Sequence, residues 1–276
     1  MKDLSGKRVL VTGGGQGIGL EMAVKFAERG AAIVLADLND KVLPEAKSAI
    51  EVLNVPVYTC PVDVTDPASV VALRDKVREE AGPIDVLVNN AGVVFGGPFA
   101  DVPLEQHFKT YAVNTLGVVA VTHAFLPDLV SRPEANLVNI ASASGLIGLP
   151  YGSTYASSKW AVIGFSESIR AELNLVGHDH VHVTIVCPSY IGTGMFEGAT
   201  PPKTTHVLEP DFVAEKVVEA VEHNNLYVME PWIVKVTPLL RDLLPTKLYD
   251  KIGAALGANT SMAGWTGHDP ASKDKK

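Results

Sequence analysis

The stretch STYASSKW places Tyr155 four residues before Lys159, and of the seven tyrosines only this one has a lysine at that distance. On a helix, positions i and i+4 share a face, so a phenol and an ammonium would stand side by side. A phenol titrates at about 10, and bringing it to about 7 takes about 4 kcal/mol. A cation a few ångströms away can supply that much. Two amphipathic side chains sharing a half-exposed helix face would give the same spacing. What else the chain carries decides between the two.

A second chemical cluster lies near the start. VTGGGQGIG runs from an apolar stretch straight into a helical pattern, with Gly13, Gly15, Gly17 and Gly19 around Gln16 and Ile18. Residues without side chains let backbone N–H groups approach a pyrophosphate, and a helix N-terminus adds its positive end there. The spacing is T-G-x-x-x-G-x-G rather than the common G-x-G-x-x-G fingerprint. The next apolar run, IVLAD, ends on Asp37, 18 residues past Gly19. That is close to the ~20 expected of an acid that grips adenosine ribose hydroxyls. A 2′-phosphate would face this carboxylate, and at ~4 Å each pair of like charges costs roughly 4 kcal/mol. No Arg or Lys stands in the glycine loop or in the LND that follows, so the pattern favours NAD over NADP. A plain tight turn and a solvated strand-end Asp are the competing readings.

The elements that must hold these groups repeat along the chain. KRVLVTG (7–13), AAIVLAD (31–37), VPVYTCPVDV (55–64), IDVLVNNAG (84–92), NLVNIAS (136–142), VHVTIVCP (181–188) and LYVME (226–230) read as short strands. They are nearly continuous in apolar residues, as strands covered on both faces should be. Helical patterns alternate with them. One ends on Gly30, one opens with Asp66-Pro67 and ends on Gly82, and a late one carries Phe212, Val213, Lys216, Val217 and Val221 on one stripe. Strand and helix at this pace predict right-handed crossovers and one parallel seven-stranded sheet wound on both sides. That α/β domain spans 1–230. Residues 231–276 form a C-terminal extension, in which Pro238 and Pro245 allow at most short helices.

Composition narrows the function classes. Hydrophobic residues are 47% and charged residues 20%, which excludes general disorder. A net charge of −8 without any basic stripe excludes a nucleic-acid partner. Cys60 and Cys187 each close an apolar run and read as buried strand thiols, so a reducing, cytoplasmic setting is expected. Neither a signal peptide nor a spanning run of about 18 apolar residues is expected. His178, His180 and His182 alternate at a strand entrance without a convergent fourth ligand, so no metal site is expected.

Taken together, T-G-x-x-x-G-x-G, the NNAG at 89–92, Ser142 thirteen residues before the tyrosine, and Y-x-x-x-K resemble the short-chain dehydrogenase/reductase family. The resemblance runs from residue 7 to about 230 and implies a Rossmann fold and hydride transfer at a CH–OH carbon. It implies that Tyr155 is the general acid/base, that Lys159 is its partner and also holds the nicotinamide ribose, and that Ser142 orients the substrate oxygen. Asn114 would hold a water against the lysine. Among the cofactor contacts, it implies Leu38 beside Asp37, Asp63 and Val64 at the adenine, and Asn90, Ala91 and Gly92 along the adenosine side. Pro188, Ile191 and Thr193 would receive the carboxamide. The family usually has glycine where this chain has Ser189.

The segments 93–99, 145–151 and 190–196 are the candidate pocket walls, with Phe95, Leu149, Tyr190, Met195 and Phe196 as substrate contacts and Ser144 as an alternative to Ser142. They are almost wholly apolar and offer no Arg or Lys to clamp a carboxylate. A hydrophobic alcohol or ketone is therefore the expected substrate. The C-terminal third resembles the branch holding the retinol dehydrogenases and lipid-associated 17β-hydroxysteroid dehydrogenases, without the N-terminal hydrophobic anchor of its membrane-bound members. Segment 231–256 would either pack on the protein body or a neighbouring subunit, or lie on a lipid surface. A homodimer or homotetramer through helices near 104–130 and 154–175 is expected, with Trp160 and Phe165 as helix core or subunit contacts. The alternatives are a reductase of carrier-bound ketones, which Asp37 opposes, and a catalytically silent dinucleotide-binding protein at a lipid surface.

Overall fold

The structure is a computed structural model and describes residues 1–267. The chain alternates from its first apolar run: β1 (Arg8–Thr12), α1 (Gly17–Glu28), β2 (Ala32–Asp37), α2 (Leu43–Glu51), β3 (Val57–Pro61), α3 (Pro67–Glu80) and β4 (Val86–Asn89). The second half continues with α4 (Leu104–Tyr111), α5 (Val118–Val130), β5 (Ala135–Ile140), α6 (Ser153–Leu175), β6 (Val181–Pro188), α7 (Pro210–Glu222) and β7 (Tyr227–Glu230). Beyond it come α8 (Ile233–Leu243) and α9 (Thr246–Leu256). The strands make one seven-stranded sheet in the order β3-β2-β1-β4-β5-β6-β7, and every pairing is parallel. This is the Rossmann arrangement expected from the sequence. Each apolar run holds one strand, shortened where its ends serve as turns.

The period of two along a strand feeds two cores. Val9 and Val11 of β1 belong to the core that includes Met22 and Phe26 of α1, while Leu10 belongs to the one with Val121 and Phe125 of α5. Phe26 and Phe125 are fully buried, and each such side chain contributes about 1.5–3 kcal/mol. Local signals set the helix ends. Asp66 accepts from the Ala68 N–H at 2.9 Å and Pro67 opens α3, whereas Gly82, at φ +84°, ends it in a left-handed turn. At the amino ends of the strands, opposite the glycine loop, Asp85 is fully buried. It accepts from the Arg8 N–H at 2.9 Å and pairs with Arg132 at 2.7 Å.

Three expectations need correction. Phe212 is 40% exposed rather than on the core stripe of α7, which buries Val213, Ala214, Val217 and Val221; the Lys216 ammonium instead lies 5.8 Å from its ring centroid. Pro238 does not break α8 but sits within it, because a proline removes only one donor from the ladder; Pro245 forms the N-terminal boundary of α9. Helix Leu104–Val130, 27 residues long, is apolar and long enough to cross a membrane by length and composition, although no uninterrupted apolar run predicts it. Half of its most apolar window is buried in the fold, as a core helix requires.

The sheet positions the site. β1 has β2 on one side and β4 on the other, so the connections leave in opposite directions and a crevice opens at the carboxyl ends of these strands.

Candidate active site

The glycine loop fills that crevice from one side. Gly13 and Gly17 have φ of +61° and +55°, left-handed conformations that favour glycine. At Gly19 the reason is space: a Cβ would stand 2.1 Å from the Gly13 carbonyl oxygen and 2.5 Å from the Asn90 amide nitrogen. The Asn90 amide donates to the Thr12 and Gly13 carbonyls at 3.0 and 2.9 Å, tying the ends of β1 and β4 together. Asp37 ends β2 nearly buried, with one carboxylate oxygen accepting from the Gly15 N–H and the other from the Asn39 N–H, both at 3.0 Å.

These groups line a cleft of ≈ 570 Å³. Gly13, Gln16, Gly17, Ile18 and Gly19 form one wall, and Asp37, Leu38, Asp63 and Val64 lie at one end. Asn90, Ala91, Gly92 and Thr193 complete the expected lining, while Gly15 supports Asp37 from behind. Pro188 closes β6, and Ile191 packs with Leu208 and Val213, so neither side chain faces the cleft. Lys109 also lines it and lowers the pKa of Asp63, after the larger effect of two hydrogen bonds from Thr65. The sequence reading missed this cation because α4 is remote from the glycine loop along the chain. The glycine cradle, which side chains would fill, and the fixed acid at its end fit a nicotinamide dinucleotide.

Tyr155 and Lys159 stand on one face of α6, 5% and 4% exposed. The Lys159 ammonium donates to the Ile140 carbonyl at 2.7 Å and lies 5.8 Å from the Tyr155 ring centroid. Burial pushes the Tyr155 phenol up to about 12, against a smaller lowering by the Ser142 hydroxyl, and pushes Lys159 down to about 8. The expected downward pull of the ammonium is not among the causes that act on the phenol; exclusion of water disfavours both charged forms.

Ser142 is oriented by its neighbour. Its Oγ accepts from the Ser144 N–H at 3.2 Å and from the Ser144 hydroxyl at 2.9 Å, which leaves its own proton free to point elsewhere. Ser144 is thereby a support for Ser142 as much as an alternative to it. Asn114 sits in a widened helical turn, Ala112–Gly117, between α4 and α5. Its Oδ1 accepts from the Val93 N–H at 2.8 Å, and its Nδ2 donates to the Val93 carbonyl and to Ser158 Oγ at 2.9 and 3.1 Å. Both amide protons are used, so a water near Lys159 would have to be held by an Asn114 oxygen.

Beside Tyr155 and Ser142 lies a second cavity of ≈ 240 Å³, with no charged residue among the described residues that line it. Ser144, Leu149, Tyr190 and Phe196 line it beside Tyr155 as expected, and Val234 and Leu240 of α8, Leu244 after it and Ile252 of α9 line the rest. Two expected contacts fall elsewhere. Phe95 is not in the lining, since its neighbour Val94 packs on Tyr155 instead; Met195 faces the glycine-loop cleft. Sequence reasoning overlooked the segment after α9. Met262 is 1% exposed and packs in the Tyr155 cluster, and the Trp265 indole N–H donates to the Met195 carbonyl at 3.0 Å. The apolar residues of SMAGW were the one available signal.

A doubly wound parallel sheet with a glycine cradle at its switch point, and a tyrosine–lysine pair beside an apolar cavity, define a dinucleotide-dependent oxidoreductase of the Rossmann class. Residues 7–204 match the family model described as short chain dehydrogenase, and the chain belongs to that family. It is 36% identical over 269 residues to epidermal retinol dehydrogenase 2 of Homo sapiens, covering 96% of this chain and 86% of the relative. It is 30% identical over 246 residues to 17-beta-hydroxysteroid dehydrogenase 13 of Homo sapiens, covering 89% and 82%. Among solved structures, a short chain dehydrogenase/reductase from Burkholderia phymatum in complex with NAD superposes with a TM-score of 0.81 at 26% identity, covering 94% of this chain and 98% of that one. The chain is thus an oxidoreductase that interconverts an alcohol and its carbonyl compound.

Proposed function

We propose that the substrate is a bulky apolar alcohol or ketone of retinoid, steroid or long-chain type, and that NAD is the cofactor. The substrate class rests on one observation: among the described residues, the cavity touching Tyr155 and Ser142 is lined without a charge, so a carboxylate or phosphate would find no partner among them. The relatives named for retinol and for 17β-hydroxysteroids agree with that class. The choice of NAD rests on Asp37, whose carboxylate is fixed by two backbone N–H groups where a 2′-phosphate would meet it.

In this reading the bound dinucleotide supplies the hydride acceptor or donor, and the chain handles the proton. The Tyr155 hydroxyl oxygen takes the alcohol proton in oxidation and returns it in reduction. Ser142 donates its free proton to the substrate oxygen. Lys159 favours the phenolate and binds ribose hydroxyls, while Asn114 fixes the loop at Val93 against α6 and holds a water near the lysine. Starting from about 12, the phenol needs about 7 kcal/mol to ionise at pH 7, more than the exposed-phenol value suggests. Positive charge brought beside it on ligand binding has to provide this.

Two surfaces support the remaining assignments. Leu104, Phe108 and Leu116 are 63–65% exposed along one long helix that packs on α6 through Tyr111 and Ser157, and we assign this face to pairing of two copies. Trp232, Leu239, Leu243 and Leu248 are exposed on or beside α8 and α9, next to the far end of the cavity, and we assign them to peripheral contact of a cytoplasmic protein with lipid. The test of function is turnover, followed by NADH absorbance, of retinoids, steroids and long-chain alcohols against sugars and short hydroxy acids, with NAD and NADP compared. Apolar alcohols with NAD are expected; preference for a hydroxy acid or for NADP overturns the proposal.

A further inference from the structure

We propose that Arg241 is a positioning residue that ties the α8 wall of the apolar cavity to the loop carrying Ser142. Its role rests on the reading of that cavity as the alcohol site. In the loop from Ser142 to Ile147, two side chains from different elements take the carbonyls of Ser144, Leu146 and Ile147. The Trp160 indole N–H, one residue past Lys159 on α6, donates to the Ser144 and Ile147 carbonyls at 2.9 and 3.2 Å. The Arg241 guanidinium, from α8, donates to the Leu146 carbonyl at 2.6 Å. It also lies 5.0 Å from the centroid of a Trp160 ring, and Asp242 holds its Nε at 2.9 Å. Loop, α6 and α8 therefore close into one ring of contacts.

The loop has little freedom to yield on its other side. Gly145 lies so close to α6 that a Cβ there would stand 2.9 Å from the Lys159 carbonyl oxygen. Ser144, whose carbonyl Trp160 holds, donates its hydroxyl to Ser142 Oγ. Arg241 thus reaches the substrate-orienting serine through two links. The same helix contributes Val234, Thr237 and Leu240 to the cavity wall, and Leu244 just past its end adds to it. A planar guanidinium meets both demands at once, stacking on an indole while donating in its own plane, which an ammonium cannot do.

The test compares wild type, Arg241→Met, which keeps the aliphatic cover on Trp160, and Arg241→Lys. Hydrogen exchange is measured on the full chain with and without NADH. In Arg241→Met, peptides covering 142–150 and 232–245 should lose protection together, while those covering the glycine loop stay unchanged. For an apolar alcohol turned over by the wild type, KM should rise about tenfold, the loss of one charge-assisted hydrogen bond. NADH affinity should stay within twofold, and Arg241→Lys should recover part of the KM. Unchanged protection of 142–150 in Arg241→Met overturns the proposal, as does equal loss of protection throughout the chain. If the exchange result holds while wild type turns over no apolar alcohol, the clasp stands and the substrate reading falls.

Discussion

Replacing Lys159 with methionine should make the protein more stable at neutral pH while removing its activity. Burial lowers the folded-state pKa of Lys159 from 10.5 to about 8. Because the folded value lies below the unfolded one, the unfolded chain binds the proton more tightly. The penalty is fully present below pH 8 and disappears as pH rises through the unfolded value. The difference of about 2.5 pKa units corresponds to about 3 kcal/mol. Methionine also gives up the hydrogen bond to the Ile140 carbonyl, a loss of about 1 kcal/mol that leaves this carbonyl unpaired. A net gain of about 2 kcal/mol is expected at pH 7. Urea unfolding of both proteins at intervals from pH 6 to 10.5 reads it directly: the gain should be flat to about pH 8 and then shrink, reversing just below about pH 10 as the lost hydrogen bond takes over. A variant less stable than wild type at pH 7, or a gain indifferent to pH, would show that Lys159 is not held in a water-poor site at its own expense.

Other outcomes follow from the same geometry. Tyr155→Phe should abolish turnover, measured by NADH absorbance, and leave NADH binding by fluorescence titration intact, because the ring keeps its packing while the proton-carrying oxygen is gone. Gly19→Ala should weaken NADH binding by roughly 100-fold or more, since ordinary contact begins near 3.4 Å and the new Cβ would lie 1.3 Å inside it (3.4 minus 2.1 Å) against a carbonyl that cannot retreat. Gly164→Ala, with nothing within 4 Å of its Cβ, should instead stabilise α6 by about 0.5–1 kcal/mol, seen as a raised urea midpoint. Asp85→Ala should cost about 1–3 kcal/mol of unfolding free energy, because it leaves the Arg8 N–H without its acceptor at the amino ends of the strands, far from the chemistry, while the partly exposed Arg132 turns to water.

What could be read from the sequence is what is local in the chain. Asp37 follows its glycine loop by one helix and one strand, and Tyr155 and Lys159 share a helical turn, so spacing alone brings each set together. The seven apolar runs matched seven strands for the same reason, since a run covered on both faces has little else it can be. Arg241, Met262, Trp265 and Lys109 were missed because each acts on a partner far away in sequence, and nothing in its own neighbourhood marks it. Phe212 was misplaced by assuming that every apolar residue on a helical stripe faces the core, when a lysine at i+4 can cover it at the rim. The energetics of the tyrosine were misjudged for another reason: residue types tell which charges are near, while the loss of water that dominates its shift depends on how tightly Val94, Met262 and Phe196 close around the ring.

The widened turn around Asn114 carries one residue more than the regular coil on either side of it. A regular coil advances by about 100° per residue, so this surplus rotates everything downstream by about that angle. The first half presents Phe108 to the outside and the second half turns Val121 and Phe125 into the core, and the turn between them sets how far one half is rotated against the other. Excising a single residue between 112 and 117 would restore a regular coil, yet it would swing one half or the other out of register. In this protein the irregular helix is the one that folds correctly.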